Sequence, residues 1–521
     1  MKKLLVIVLL LSVAAAGAFA GGQEETPEKG PVDELVVGVT EAWTATDVQY
    51  WVAIECFMQL GLIYTGLLDF DKNMQFVPGL AERWEISEDG LNYTFYLKKG
   101  VKWHNGRELV ASDVKFSIER ELGWIPPNKE GLFRASLGDV SKIDVLDDYT
   151  VGVTLNQSYA PFLYGVTSGW CPVVCPENFS ADGTIRENEI IGTGPYKFVE
   201  LVMDDYFKVE KNNEYFAGKP AVNTIIFKQI PDATVRLTAL KAGDIQLMLN
   251  PKPEDFIEYT KSPTNDYVLA EIPKSTVWAY SFNLNVNQKP FESKKVRQAI
   301  AHAIDVNEYI SIITSGIGTE STNIWANGNF WHSEVPRLGY DVDLAKKLLV
   351  EAGFPDGFET EIHTVDFVNL SKNAEILQSQ LSRIGVKATI NKPDFAQWAK
   401  EEANAEFMIH TQCWNYTDDP TQHYGISLES GCVYPSWYGG GWTTPEIDRL
   451  LSEAKSISDR DKRRQLYEAV NSILVDESIV IQLYTTPALY GISGQLTNME
   501  WNVRGDFIHN LSKGIMNLQY K

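Results

Sequence analysis

Trp414, Asn415, Tyr416, Asp418 and Asp419, followed by Tyr434, Trp437, Tyr438, Gly439, Gly440, Gly441 and Trp442, make one region rich in flat, amphipathic side chains. Side chains of this kind suit non-covalent recognition. Aromatic faces stack on the apolar face of a sugar ring, while Asn and Asp exchange hydrogen bonds with its hydroxyls. The same rings would serve equally to fill a core or the underside of loops, because Trp and Tyr bury large areas whatever their role. Trp278 and Tyr280, two apart on a strand and so on one face, form a second candidate wall. Glu41, Trp43 and Thr44 follow the first strand at its carboxyl end, where open α/β sheets bind ligands. Trp325 and Trp331, within WANGNFW, offer another wall, whereas Trp398, in FAQWAK, reads as helix packing.

Nothing in the chain organises a nucleophile. It has no Gly-x-Ser-x-Gly elbow, no Walker loop, no Gly-x-Gly-x-x-Gly and no His-Glu-x-x-His among its 7 His. As a glycosidase pair, Asp418 and Asp419 would have to face each other across a bond at about 5 Å or more, but adjacent residues point to different sides of a strand or helix. A secreted glycoside or peptide hydrolase is therefore a remote alternative resting on carboxylates far apart in sequence. The expectation is a protein that is not an enzyme, with no catalytic residues, no cofactor and no metal. The CPVVC run at Cys171 and Cys175 lacks the matching second pair that a zinc site needs.

The elements that must hold these residues alternate between strand and helix, which argues for an α/β protein. Residues 35–40 read as a strand. Residues 225–230 read as another, followed by Asp232 as helix cap, a helix over 233–242, Gly243 as stop and a strand over 244–249, a βαβ unit. Val296, Ile300, Ala303 and Ile304 share a helical face, and Ile376, Leu377, Leu381 and Ile384 repeat the pattern before Gly385 and a strand over 386–390. The later half thus holds a second α/β lobe. Between residues 70 and 190 the pattern is more strand-like, alternating in Tyr93, Phe95, Leu97 and in Tyr149, Val151, Val153, Leu155. Gly192 and Gly194 read as glycines supplying unusual backbone angles beside Pro195, and Trp103, His104, Asn105 and Gly106 as a turn before a helix begun by Ser112.

The amino terminus says where the protein works. Lys2 and Lys3, the apolar run that follows them and Ala18-Phe19-Ala20 have the three parts of a secretory signal peptide, with cleavage after Ala20. A membrane anchor is the rival, but the apolar stretch of roughly 17 residues is at the low end of what spans a bilayer. No Cys stands near the cleavage point for lipid attachment, so the expectation is a soluble, exported, periplasmic protein with a flexible tether over 21–33. Removing the leader leaves 44 basic against 69 acidic residues, a formal charge of −25, which is hostile to nucleic acid. The 5 Cys permit disulfides in an exported chain. Cys171 and Cys175 are near enough in sequence to bridge a turn, Cys413 and Cys432 bracket a long loop, and Cys56 is left over.

Residues 61–120, reading GLIYTGLLDFDKNMQFVPGLAERWEISEDGLNYTFYLKKGVKWHNGRELVASDVKFSIER, resemble the N-terminal signature of extracytoplasmic solute-binding protein family 5, the substrate-binding components of peptide-type ABC importers. GTGPYKF at 192–198, KPAVNTIIFKQIPDATVRLTALKAGDIQLM and FNLNVNQKPFESKKVRQAIAHAIDVNEYI follow in the family's order, so the resemblance spans nearly the whole mature chain. It implies an α/β, periplasmic-binding-protein-like clamshell of type II, with an extra domain on the first lobe. Lobe 1 would comprise 34–65, 193–275 and 487–521, the extra domain 66–192, and lobe 2 276–486. The crossings near 275 and 487 would be hinges, and closure over a solute would couple capture to delivery by population shift. The implied partners are a small-molecule solute and the membrane subunits of an ABC permease, with the protein itself a monomer.

The same resemblance bears on the ligand. Peptide-binding members place an Asp four residues before an Asp/Glu-Pro element, where it holds the peptide amino group. Here that element is Asp419-Pro420, and the fourth residue back is Tyr416. An oligopeptide-type solute is the first expectation. A β-linked di- to oligosaccharide is the alternative, because of Tyr416 and the aromatic region, and some relatives carry oligosaccharides. Nickel or haem cargo, also known in the family, would want a clustered His set that this chain lacks. The crossing near Trp278 and Tyr280 lines the cleft in the family. The candidate ligand-binding residues are therefore Trp414, Asn415, Tyr416, Asp418, Asp419, Trp278, Tyr280, Glu41, Trp43 and Trp437.

Overall fold

Three large β-sheets, each with its own apolar core, organise the chain in a computed structural model that describes residues 32–40, 47–50, 61–71, 75–167, 171–186, 190–272, 278–414, 419–432, 434–499 and 514–521. The first sheet has seven strands, in the order Tyr267–Glu271, Leu489–Ser493, Leu247–Leu249, Glu34–Val39, Thr224–Gln229, Tyr206–Lys211, Tyr196–Val202. Val37, Val39, Ile225, Phe227 and Leu249 are fully buried within it, so the alternating apolar positions set its inner face. The helix Ala233–Ala242 forms where the sequence places it. Asp232 Oδ1 accepts from the amides of Thr234 at 2.8 Å and Val235 at 2.9 Å, and Gly243 leaves the helix at φ +84°.

The βαβ reading needs one correction. Thr224–Gln229 and Leu247–Leu249 run parallel but are not neighbours: Glu34–Val39 lies between them and pairs with both. Periodicity over 225–249 cannot reveal a strand inserted from nearly 200 residues upstream, because that pairing is non-local. The closing strand is also shorter than expected, beginning at Leu247.

The second sheet has six strands, in the order Thr319–Glu320, Val480–Thr486, Trp278–Leu284, Ile409–Trp414, Glu359–His363, Lys387–Asn391. Glu359–His363 is parallel to both of its neighbours, and Trp278–Leu284 is antiparallel to both of its own. The helices Lys294–Ala303 and Leu370–Ser382 cover it, burying Val296, Ile300, Ala303, Leu377 and Leu381 as their apolar spacing requires. This pairing fixes one edge. Trp278 opens its strand opposite Thr486, which closes the next, and Ala279 sits opposite Trp414. The chain therefore enters and leaves this sheet on the same edge as the carboxyl ends of its parallel strands.

The third sheet is antiparallel, in the order Ala81–Ile86, Asn92–Leu97, Thr150–Leu155, Val140–Asp147, with helix Ala111–Glu121 packed on it. Tyr93, Phe95, Leu97, Val151, Val153 and Leu155 point into its core in strict alternation. Its junction with the seven-stranded sheet is made by the turn at Trp103. Arg107 reaches Asp113 through Nη1 to Oδ2 at 2.9 Å and Nη2 to Oδ1 at 3.0 Å, and Trp103 Nε1 donates to Asp113 Oδ2 at 3.1 Å. The His104 amide donates to Gly192 O at 2.9 Å. Burial pushes His104 down to about 4, so it stays neutral there.

Two expectations about this part of the chain change. Neither Gly192 nor Gly194 has a positive φ. They are glycines because backbone crowds them: a Cβ would stand 1.9 Å from Ile63 O at Gly192 and 2.4 Å from Leu62 O at Gly194. The disulfide pairs are also absent, since Cys171, Cys175, Cys413 and Cys432 are free thiols. Cys175 Sγ instead donates to Glu177 Oε2 at 2.7 Å, Cys171 is buried in the core, and Cys413 belongs to the strand Ile409–Trp414. Cys56 lies outside the described residues.

Candidate solute-binding edge

The entry edge of the six-stranded sheet gathers aromatic side chains. Trp414 ends the strand Ile409–Trp414 half-buried, with Trp437 at 4.5 Å between ring centroids and the edge of His423 at 5.0 Å. Trp437 in turn stacks on Tyr434 at 4.3 Å, with ring planes 8° apart, and Tyr434 is 43% exposed. These three rings form a ladder from the strand end toward solvent. Such a surface can take the flat or apolar face of a ligand by stacking.

Polar groups behind the ladder hold it. Gln412, buried on the same strand, donates through Nε2 to Trp437 O at 3.1 Å and to Glu402 Oε1 at 2.7 Å. Burial pushes the Glu402 carboxyl up to about 7, partly offset by that hydrogen bond. His410 lies below, stacked on Trp398 at 4.7 Å, and burial pushes it down to about 3. Trp398 is thus a packing residue of its helix, as its sequence context suggests.

Trp278 starts a second aromatic row on the same edge. Its ring meets Phe367 edge-on at 5.6 Å, and Phe367 meets Phe395 at 5.6 Å. Phe367 and Phe395 are 36% and 53% exposed. Phe367 lies in the loop after the strand Glu359–His363, and Phe395 opens the helix Phe395–Ala403 after the strand Lys387–Asn391. Next to Phe367 in the chain, Val368 holds φ +45°, a left-handed conformation that costs a β-branched residue energy and that clusters at functional sites. The sequence reading missed Phe367, Val368 and Phe395. The available signal was their position just past parallel strands, where open α/β sheets place ligand loops.

Four sequence-predicted residues prove to be internal. Asp419 has no exposed surface: its Oδ1 takes Arg463 Nη2 at 2.7 Å and the Thr421 amide at 2.9 Å, capping the helix Pro420–Ser427. Burial works against the Arg463 charge, but the Asp419 carboxylate outweighs it and the Arg463 pKa rises. Tyr280 is 1% exposed and stacks on Tyr484 at 4.8 Å, because its face of the strand turns into the sheet's core. Trp325 and Trp331 are 2% and 3% exposed within a buried cluster, so they are core and not a cleft wall. Asn415, Tyr416, Asp418, Glu41, Trp43 and Thr44 lie outside the described residues. Among the described residues no group of His, Cys, Asp and Glu is placed to hold a metal ion.

The profile of the family described as "Bacterial extracellular solute-binding proteins, family 5 Middle" matches residues 75–432. The chain is 28% identical over 449 residues to the dipeptide-binding protein of Escherichia coli, covering 80% of this chain and 82% of that one. It is 30% identical over 452 residues to heme-binding protein A of Haemophilus influenzae, covering 80% of each chain. Among solved structures, the periplasmic binding protein DppA of Helicobacter pylori in complex with peptide STSA superposes with a TM-score of 0.78 at 25% identity, covering 94% of this chain and 98% of that one.

Proposed function

This chain belongs to the bacterial extracellular solute-binding proteins of family 5, and from that premise we propose that it captures an oligopeptide-type solute between its lobes and delivers it to the membrane subunits of an ABC importer. The observation that carries this reading is the shared edge. Trp278, Trp414 and both points where the chain crosses to and from the six-stranded sheet lie together, so a solute seated there would touch the hinge strands themselves. Closure around such a solute would be read out as a change of lobe geometry. Relatives named for dipeptide and di/tripeptide binding support a peptide.

In this proposal the seven-stranded sheet (34–65, 193–275, 487–521) is lobe 1, the body over 66–192 is its extra domain, and 276–486 is lobe 2. Trp414, Trp437 and Trp278 form ligand walls, joined by Asn415, Tyr416, Glu41 and Trp43. Asp419 is committed to Arg463, so Asp418 and Glu41 are the carboxylates left to meet a peptide amine. The protein works as an exported binding component without catalysis, after cleavage behind Ala20. Among the described residues no helix is long and apolar enough to cross a membrane.

Isothermal titration of refolded, ligand-stripped protein against a di- to pentapeptide pool, a panel of β-linked oligosaccharides and hemin tests the reading. Saturable heat with peptides is expected. Binding of sugar or hemin alone would overturn the peptide assignment, and product released from either pool on long incubation would bring back the hydrolase.

A further inference from the structure

The four-stranded body touches more than the sheet it is joined to. The backbone amide of Ala160 donates to Lys455 O at 2.6 Å, Ser158 Oγ to Ser456 O at 3.4 Å, and Gln422 Nε2 to Ser136 Oγ at 3.3 Å. Each of these bonds spans roughly three hundred residues of sequence, from the 134–167 segment to the helices Pro420–Ser427 and Pro445–Ser456. An apolar seal surrounds them. Phe70, Phe76 and Tyr164 of the body pack ring on ring at 4.8–5.6 Å. Phe70 and Tyr164 are buried in the same cluster as Tyr424, Leu428, Leu450, Leu451 and Tyr467 of the six-stranded lobe.

This contact adjoins the buried Asp419–Arg463 pair. Gln422, which reaches Ser136, also accepts from the Asp419 amide through Oε1 at 3.2 Å, and Tyr467, in the cluster with Tyr164, accepts from Arg463 Nη2 at 3.0 Å. Asp419 closes the segment that begins at Trp414, on the candidate solute edge. The body's contact therefore borders the ion pair that anchors the far end of that segment.

We propose that the four-stranded body is a latch: through Ala160, Tyr164 and Ser136 it grips the lobe that carries Trp414, and it must release that grip whenever the two sheets separate. Clamshell opening would then break an apolar contact and expose the rings and aliphatic side chains that make it. That adds a cost to the open state without any contribution from the solute. The balance between open and closed forms would be set in part by the chain itself, in the apolar cluster against which Trp414 and Trp437 also pack. This inference concerns the solute-free protein and stands whatever the solute proves to be.

Amide hydrogen exchange of the solute-free full-length protein tests it directly, because the Ala160 N–H is itself a latch bond. Its exchange should be at least about tenfold faster than that of Val153 in the adjacent strand, as expected for sub-global opening. Tyr164→Ala should accelerate Ala160 by about a further tenfold and Gln422→Ala by a few-fold, with Val153 unchanged, since truncated aromatic anchors dominate contact energies. Ala160 protected as strongly as Val153, and unmoved by Gln422→Ala, would show a permanent interface and overturn the latch. Should Tyr164→Ala speed Val153 equally, the whole body has loosened, and the result with Gln422→Ala decides.

Discussion

The junction below the four-stranded body and the proposed solute edge of the six-stranded sheet are built on opposite principles. At the junction there is no spare room and little spare polarity. Asp113 takes Trp103 and Arg107 together, and a Cβ at Gly192 would overlap a carbonyl. At the solute edge, Tyr434, Phe367 and Phe395 leave much of their rings in water, and Val368 holds a strained backbone angle. The junction needs particular residues for geometric reasons. In the proposed role the edge needs only a chemical type, because what it meets is a solute and not another part of the chain.

The sharpest way to break this contrast is to attack the place where scaffold underlies the solute edge. Arg463→Met leaves the Asp419 carboxylate buried without its cation, which should cost about 3–5 kcal/mol in equilibrium urea unfolding. The double variant Arg463→Met with Asp419→Leu removes both charges and should recover most of that loss. If Arg463→Met unfolds like the parent, Asp419 has access to water and belongs with the solute groups after all.

Next comes Glu402 beneath the aromatic ladder. Burial raises its folded pKa to about 7 against an ordinary 4.5, so the fold favours the protonated carboxyl. The stability this contributes is complete below about pH 4.5 and disappears as pH rises through about 7. Glu402→Gln should therefore match the parent near pH 4 and exceed it at pH 8 by up to about 3 kcal/mol in urea unfolding. A difference that does not change with pH would mean that Glu402 is not held protonated by the fold.

At the junction, Gly192→Ala should cost about 1–3 kcal/mol through backbone crowding, with solute affinity unchanged for the folded fraction. A fully stable Gly192→Ala protein would show that the Ile63 carbonyl moves freely and that the two regions differ less than the geometry indicates.

The same contrast explains what could be read from sequence. The helix from Ala233 to Ala242, its Asp232 cap and its Gly243 stop are local physics and were legible in full. The insertion of Glu34–Val39 between two later strands was not, because pairing across nearly 200 residues leaves no local trace. Trp278 and Trp414 were legible as candidates because strand ends and aromatic type are both visible in sequence. Tyr280 and Asp419 were misread for a different reason. A Tyr on a strand has two faces to choose from, and an Asp before a Pro serves as a helix cap as readily as a ligand. Burial decides such cases, and burial depends on the neighbours that tertiary structure brings. Arg463, some 44 residues from Asp419, is one of those neighbours.

Trp414→Ala separates the two principles within one residue. It should weaken solute binding at least about tenfold, as loss of an aromatic anchor does. The apo protein should lose only about 1–2 kcal/mol, because the ring is half-buried and packs mainly on Trp437 and His423. A larger loss of apo stability would assign Trp414 to the scaffold and leave the edge without its central wall.

Tyr434→Ala gives the smallest effect and the cleanest one. With 43% of its surface exposed and its ring stacked on Trp437, the variant should stay within about 0.5–1.5 kcal/mol of the parent in urea unfolding. The solute effect depends on where the ladder ends. If the bound solute reaches the outer rung, titration should show a few-fold loss of affinity, and it should grow with solute length across the peptide pool, since longer solutes extend farther from Trp414. A loss that is the same for dipeptides and pentapeptides would mean that Tyr434 acts only by steadying Trp437. Unchanged affinity at every length would confine the solute-facing surface to Trp414 and Trp278 and make the outer ring an exposed part of the scaffold.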